Sequence, residues 1–190
     1  MSDATAPVWS DGGWIQVPVA GMGGEALVVP NIAALVLREG TGDLLLQRRD
    51  KAEVVRGRLE IPTGRWRAGE TPQEALSREV AEETGLAVHS LVGDGVRLES
   101  HPGWPVYARA PAAVVGGASG AYPALLVAFT CRADGEPRGR PGETADPRWY
   151  SIGRVRELLA EPEQFTAATY AILSAWLGRP GEGGSGRVSP

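Results

Sequence analysis

The 190-residue sequence contains one cysteine, Cys131, which excludes a disulfide within the chain and points to a reducing cytoplasm as its location. Its first ten residues, MSDATAPVWS, lack both the basic and the apolar region of a secretory signal. No apolar run approaches the roughly 18 residues of a membrane span, so no membrane partner is expected. The chain has no basic surplus. Its 19 Lys and Arg against 23 Asp and Glu leave a net charge of -4, which argues against a nucleic-acid-binding surface. What remains is an ordinary globular composition, 43% hydrophobic and 22% charged, with length for one domain and a real core. The 26 glycines and 15 prolines imply many turns and long loops.

No internal repeat divides the sequence. Residues 1–7 read as a flexible terminus, 8–177 as a single domain, and 178–190 (GRPGEGGSGRVSP) as a disordered tail. An N-terminal arm carrying Trp9 and Trp14 reads as one or two short strands. The apolar run 32–37 reads as a buried strand. A turn at 39–43 returns the chain into a strand at 44–48, making a hairpin. Short strands are expected at 59–62, 87–92, 96–99 and 148–152, with a longer one at 124–131. Residues 101–122 read as loop with some strand. Helices are expected at 154–160 and 166–177, the second with Tyr170, Leu173 and Trp176 on an apolar stripe. Strands interleaved with helices predict an α/β fold, a mixed sheet covered by helices on both faces. Cys131, within a strand, reads as a small buried hydrophobe.

The most informative stretch is 64–86, GRWRAGETPQEALSREVAEETGL. Thr71 suits a helix cap, Pro72 the first helical position, and Glu74 completes a capping box. Gly85 suits a left-handed stop, so the helix should run over about 72–84. Leu76 and Val80 should face the core. Glu79, Glu82 and Glu83, spaced i, i+3 and i+4, point the same way. Like charges so placed repel unless a cation sits between them, and hard oxygen ligands suit Mg²⁺ or Mn²⁺. Arg78 can pair with Glu82 one turn on, or reach back to Glu74.

Gly64, Glu70, Arg78, Glu79, Val80, Glu82, Glu83, Gly85 and Leu86 at these spacings resemble the Nudix box, the signature of the Nudix hydrolase family. The resemblance implies an α/β/α sandwich and hydrolysis of a nucleoside diphosphate linked to another moiety, with a divalent metal, usually Mg²⁺. It implies metal binding by Glu79, Glu82 and Glu83, with one of the last two able to act as general base. It assigns Arg78 the orientation of a neighbouring glutamate, Gly64 and Gly85 the bending of the flanking loops, and Glu70 a supporting role. Many relatives carry two glycines where this chain has Thr63-Gly64, and the first offers a backbone carbonyl to a metal; Thr63 takes that place here. A further acid beyond the box often serves as base or ligand. Glu143 is the candidate, with Asp146 second and Glu99 third.

Substrate residues are less marked. Pro102, sixteen residues past Leu86, resembles a feature of ADP-ribose-hydrolysing members, and 100–105 (SHPGWP) partly resembles the array of NADH-hydrolysing members. His101, Trp104 and Tyr107 are candidates to stack on a base, and Trp66 to flank the substrate. Among Arg48, Arg49, Arg56 and Arg58, chiefly Arg48 and Arg58, a guanidinium fork suits phosphate. Three readings follow: a hydrolase of ADP-ribose or dinucleotide type, a MutT-like (deoxy)nucleoside triphosphate pyrophosphohydrolase, and a non-catalytic nucleotide-sensing module. In each the partner is a small-molecule nucleotide, and a homodimer is expected from the relatives.

Overall fold

The computed structural model describes residues 5–10, 13–18, 29–51, 54–67, 69–99, 105–117 and 124–178. A first hairpin pairs β1 (Thr5–Ser10) with β2 (Gly13–Pro18). The strand thus starts inside the segment expected to be a loose terminus; the rest of that segment, 1–4, and most of the expected tail, 179–190, lie outside the described residues.

The centre of the molecule is a mixed sheet in the order β10 (Ala113–Gly117), β11 (Ala124–Ala133), β3 (Val29–Arg38), β4 (Leu44–Arg49), β12 (Thr144–Tyr150). Its spine is the parallel pair β3 and β11, in register over ten residues. β4, β10 and β12 run antiparallel to their neighbours, and β7 (Val88–Leu91) pairs with the far end of β11. β3 and β4 pair as a ladder only at Leu37 and Leu44 and then diverge. Into that split runs the segment that precedes the carboxylate helix. Its β5 (Leu59–Glu60) pairs with β4 and its β6 (Thr63–Arg65) with β3, while Ala34 N–H donates to the Pro62 carbonyl between them.

Strand alternation sorts the side chains onto two faces. Ile32, Ala34, Val36, Leu45, Phe129 and Cys131 pack with Ala75, Leu76 and Val80 of helix α1 (Pro72–Thr84). Ala33, Leu35, Leu44, Leu46 and Ala128 pack on the other face with Val155 and Leu158 of α2 (Ile152–Leu158) and Ile172 and Leu173 of α3 (Ala167–Leu177). This is the expected α/β/α sandwich. A separate ribbon pairs β8 (Gly95–Glu99), an expected strand, with β9 (Pro105–Arg109), which lies in the stretch expected as loop with some strand. Among the described residues no helix is long and apolar enough to cross a membrane.

One strand was expected later than it begins. β12 starts at Thr144 rather than 148, because its register shifts between Ala145 and Arg148; the bulge holds Asp146 at positive φ (49°) and accommodates Pro147. Ile152, expected at the end of that strand, opens α2 behind a Ser151 cap.

Candidate active site

Helix α1 forms as its sequence dictates. Thr71 Oγ1 accepts from Glu74 N–H at 3.2 Å, and the Glu74 carboxylate accepts from Thr71 N–H at 2.8 Å. Gly85 closes the helix at φ 70°, its N–H on the Ala81 carbonyl. Leu76 and Val80 are fully buried, and this fixes the rotation of the helix about its axis. The carboxylates of Glu79 and Glu83 are thereby brought to the strands in the split sheet.

Glu79 is buried at 9% exposure, and its carboxylate lies on Gly64, where a β-carbon would overlap it. Burial raises its pKa, and the Arg78 guanidinium bonded to it works in the opposite direction. Arg78 was expected on Glu82 or Glu74. Its main partner is Glu70, through Nε to Oε1 at 2.6 Å and Nη2 to Oε2 at 2.9 Å, with Nη2 also on the Arg65 carbonyl at 3.0 Å. Glu82 is a distant contact at 3.9 Å, and Glu74 is engaged in the cap. The reason is geometric: the box loop folds back over the helix and presents a carboxylate to both tines of the fork. Arg78 holds the Glu70 carboxyl below its usual pKa.

Glu83 is half-buried. Its Oε2 accepts from Gln47 Nε2 at 2.5 Å and from Thr63 N–H at 3.4 Å. Burial pushes its pKa up to about 8, with Glu60 and Glu79 adding to the rise. Gln47 is fully buried on β4, opposite Glu60 of β5, and Arg49, two residues along the same face, pairs with Glu60 at 3.1 Å. Glu82 is exposed among three guanidinium groups: Arg140 at 3.7 Å, Arg67 at 3.9 Å and Arg78 at 3.9 Å.

Glu143 stands beside this group. Arg140 Nη1 lies 3.0 Å from Glu143 and reaches Glu82 as well, and Lys51 lies 3.8 Å from the other Glu143 oxygen. The turn that carries Glu143 is tied to the helix end: Thr144 Oγ1 donates to the Glu83 carbonyl at 2.9 Å and Arg138 N–H to that of Thr84 at 2.8 Å. Asp146 instead accepts from Arg148 at 2.7 Å, and Glu99 pairs with Arg97 at 3.6 Å on the β8–β9 ribbon.

The remaining sequence candidates are scattered. Alternation turns Arg48 away from α1, and it donates to the Gly57 carbonyl at 2.7 Å; Arg58 reaches the Phe165 carbonyl at 3.5 Å. Trp66 is half-buried against the α1 core and donates to the Glu70 carbonyl at 3.0 Å, bracing the box loop. Tyr107 sits on the β8–β9 ribbon with Arg97 5.9 Å above its ring. His101, Pro102 and Trp104 lie outside the described residues. Sequence reasoning missed Gln47 and Arg140. Gln47 had a signal, a polar residue ending the apolar run LLLQ at an inward position; Arg140, in a Gly- and Pro-rich stretch, had none.

Among the described residues no three acidic, histidine or cysteine side chains form a ready cage for a metal, because Glu79, Glu82 and Glu83 each rest on their own partners. The donor chemistry nevertheless fits a hard divalent cation. All candidate ligands are oxygens, burial raises the pKa of Glu83, and Gln47 Oε1 beside it is buried with no partner among the described residues. Glu79, Glu82 and Glu83, with the Thr63 backbone, are the groups that would hold it.

A putative 8-oxo-dGTP diphosphatase 2 of Mycobacterium tuberculosis is 44% identical over 66 residues, 34% of this chain and 45% of that protein. An 8-oxo-dGTP diphosphatase of Haemophilus influenzae is 40% identical over 55 residues, 29% of this chain and 40% of that one. The chain thus spans less than half the length of these curated relatives. An uncharacterised Nudix hydrolase of Yersinia pestis is 28% identical over 158 residues, 82% of this chain and 75% of its own. Among solved structures, a NUDIX-family hydrolase from Clostridium perfringens shares the fold at a TM-score of 0.58 and 19% identity, covering 80% of this chain and 97% of that one. A MutT NUDIX hydrolase from Burkholderia pseudomallei does so at 0.57 and 21%, covering 78% and 98%. Residues 28–171, most of the chain, match the NUDIX domain, and the chain belongs to that family.

Proposed function

We propose that this protein is a divalent-metal-dependent hydrolase that cleaves the diphosphate of a nucleoside diphosphate linked to another moiety, of ADP-ribose or dinucleotide type. The observation that carries the reading is the charge pattern on one face of α1. Of its three carboxylates Glu83 rests on Gln47 and the Thr63 amide, Glu79 is bonded by Arg78, and Glu82 lies within 3.9 Å of three guanidinium groups. Carboxylates suit a cation and guanidiniums suit phosphate, so the face matches a metal-bound diphosphate.

When bound, Mg²⁺ or Mn²⁺ supplies charge neutralisation and lowers the pKa of a water. The chain supplies the rest. Glu79, Glu82, Glu83 and the Thr63 carbonyl would hold the cation, and Arg78, locked by Glu70, orients Glu79. Water oxygen bonds to one phosphorus, the anhydride P–O bond breaks, and the second phosphate leaves with the electron pair. Glu143 takes the proton of the attacking water, being the accessible carboxylate beside Glu82. A cytoplasmic site of action belongs to the same proposal, supported by the free, buried Cys131.

A second reading, a MutT-like nucleoside triphosphate pyrophosphohydrolase, is supported by the 8-oxo-dGTP diphosphatases similar to the box region. A substrate panel decides. Purified protein with Mg²⁺ is given ADP-ribose, NADH, dGTP and 8-oxo-dGTP, and products are resolved by ion-exchange chromatography. AMP from ADP-ribose or NADH is the expected result, and dGMP or 8-oxo-dGMP would favour the second reading. Binding without turnover of any compound, with Mg²⁺ or Mn²⁺, would mean a nucleotide sensor and overturn the hydrolase.

A further inference from the structure

We propose that Arg140 is the phosphate-binding arginine of this site, and that its contact with Glu82 and Glu143 is a resting contact exchanged for the diphosphate. The proposal rests on the reading of α1 as a metal-diphosphate face.

The backbone of Arg140 is fixed more firmly than a surface arginine requires. Its N–H donates to Thr144 Oγ1 at 3.0 Å, and its carbonyl accepts the N–H groups of Glu143 at 2.9 Å and Thr144 at 2.8 Å. The same Thr144 hydroxyl, 2% exposed as a residue, donates to the Glu83 carbonyl. Next door, a β-carbon on Gly139 would stand 2.7 Å from the Thr144 carbonyl oxygen, so strand β12 packs directly on the chain there. Arg140 is therefore carried by the end of α1 itself. Its side chain, by contrast, is half exposed and among the described residues its ion-pair partners are the two carboxylates Glu82 and Glu143, which the proposed reaction uses.

Arg78 differs in every respect. It is 16% exposed, and four of its five N–H donors go to Glu70, Glu79 and the Arg65 carbonyl, which leaves no pair of donors to offer a substrate. Arg140 has a fixed base and an exposed fork that meets its carboxylates through Nη1.

Electrostatics gives the exchange its direction. A divalent cation on Glu82 repels a guanidinium a few ångströms away, and removes the charge that held it there. A diphosphate on that cation presents oxygens in the geometry a guanidinium fork takes up. Arg140 thus opposes the metal when the site holds no nucleotide and supports the nucleotide once metal is present. A merely structural arginine would do neither.

The test uses R140M, which keeps the stem, and R140K, which keeps the charge but not the fork. Calorimetric titration with Mn²⁺ alone, then with ADP and with AMP in the presence of Mn²⁺, reads the two effects separately. R140M should bind Mn²⁺ about threefold more tightly than the parent and ADP about tenfold more weakly, with AMP changed less than ADP. R140K should fall between them. Under the substrate panel, KM should rise about tenfold and kcat change less than threefold. An unchanged ADP affinity in R140M, or Mn²⁺ and ADP affinities that both fall, would overturn the proposal while leaving the hydrolase reading standing. A parent protein that binds neither Mn²⁺ nor ADP would overturn both.

Discussion

The α-carbon of Gly64 lies directly against the carboxylate of Glu79, with no room for a β-carbon between them. The obstructing atoms are the end of a flexible side chain, which can turn aside. Gly64→Ala should therefore fold, with a stability loss of about 1 kcal/mol, but with Glu79 displaced. Turnover should fall at least about a hundredfold, as expected when a ligand is misplaced by an ångström. Urea denaturation beside steady-state kinetics separates the two, and wild-type turnover in this variant would count against Glu79 as a ligand.

Glu83 makes the metal response pH-dependent. Its pKa in the folded protein is pushed up to about 8, above the ordinary 4.5, chiefly by burial. Without metal the folded state therefore holds a proton that the unfolded chain releases. Its contribution to stability is full below about pH 4.5 and lost as pH rises through about 8. A cation must displace that proton, so apparent Mg²⁺ affinity should rise by up to about tenfold per pH unit below 8 and then level. Thermal shifts with and without Mg²⁺ from pH 6 to pH 9 read this directly. Glu83→Gln should flatten the profile.

Arg78 should not be replaceable by lysine. The fork to Glu70 and the bond to the Arg65 carbonyl need a planar, multi-donor group. Arg78→Lys should cost about 1–3 kcal/mol in urea denaturation. It should also lower kcat, by releasing Glu79. Glu70→Gln should reproduce the kinetic defect more mildly. A lysine variant with parental stability and kcat would remove Arg78 from its orienting role.

The helix cap offers a control with little chemistry in it. Thr71→Ala removes the hydroxyl of the capping box and should cost about 1 kcal/mol. Mg²⁺ affinity should change less than twofold, since the carboxylates lie at the other end of α1. A loss of metal binding larger than the loss of stability would show that the cap sets the angle of the ligand face.

What could be read from residues alone was what depends on near neighbours. The bounds of α1 follow from Thr71, Pro72, Glu74 and Gly85, and its core face from Leu76 and Val80, all within a few residues of each other. β3, β4 and β11 were legible because buried strands are continuous apolar runs. Contacts between distant segments were not. Nothing near Arg78 in sequence marks Glu70 as the carboxylate that takes its fork, since the loop must fold back first. Nothing near Gln47 marks Glu83 as its partner, because the two meet only after β3 and β4 part and β5–β6 enters. The bulge at Asp146 and Pro147 hid the first half of β12 behind residues that ordinarily signal a turn.

The split in the sheet has one more consequence. The strand leading into the box is sewn into β3 and β4 by backbone hydrogen bonds, and Thr169 of α3 accepts the Ile61 N–H from the opposite face. The floor beneath Glu79 and Glu83 thus belongs to the cooperative unit of the fold. Its amides, Ile61 and Gly64 among them, should exchange hydrogen only on global opening, while the partly exposed side chains of Arg140 and Glu143 can rearrange on their anchored backbone. Half of the site is as durable as the whole protein, and the other half is where any adaptation to substrate must occur.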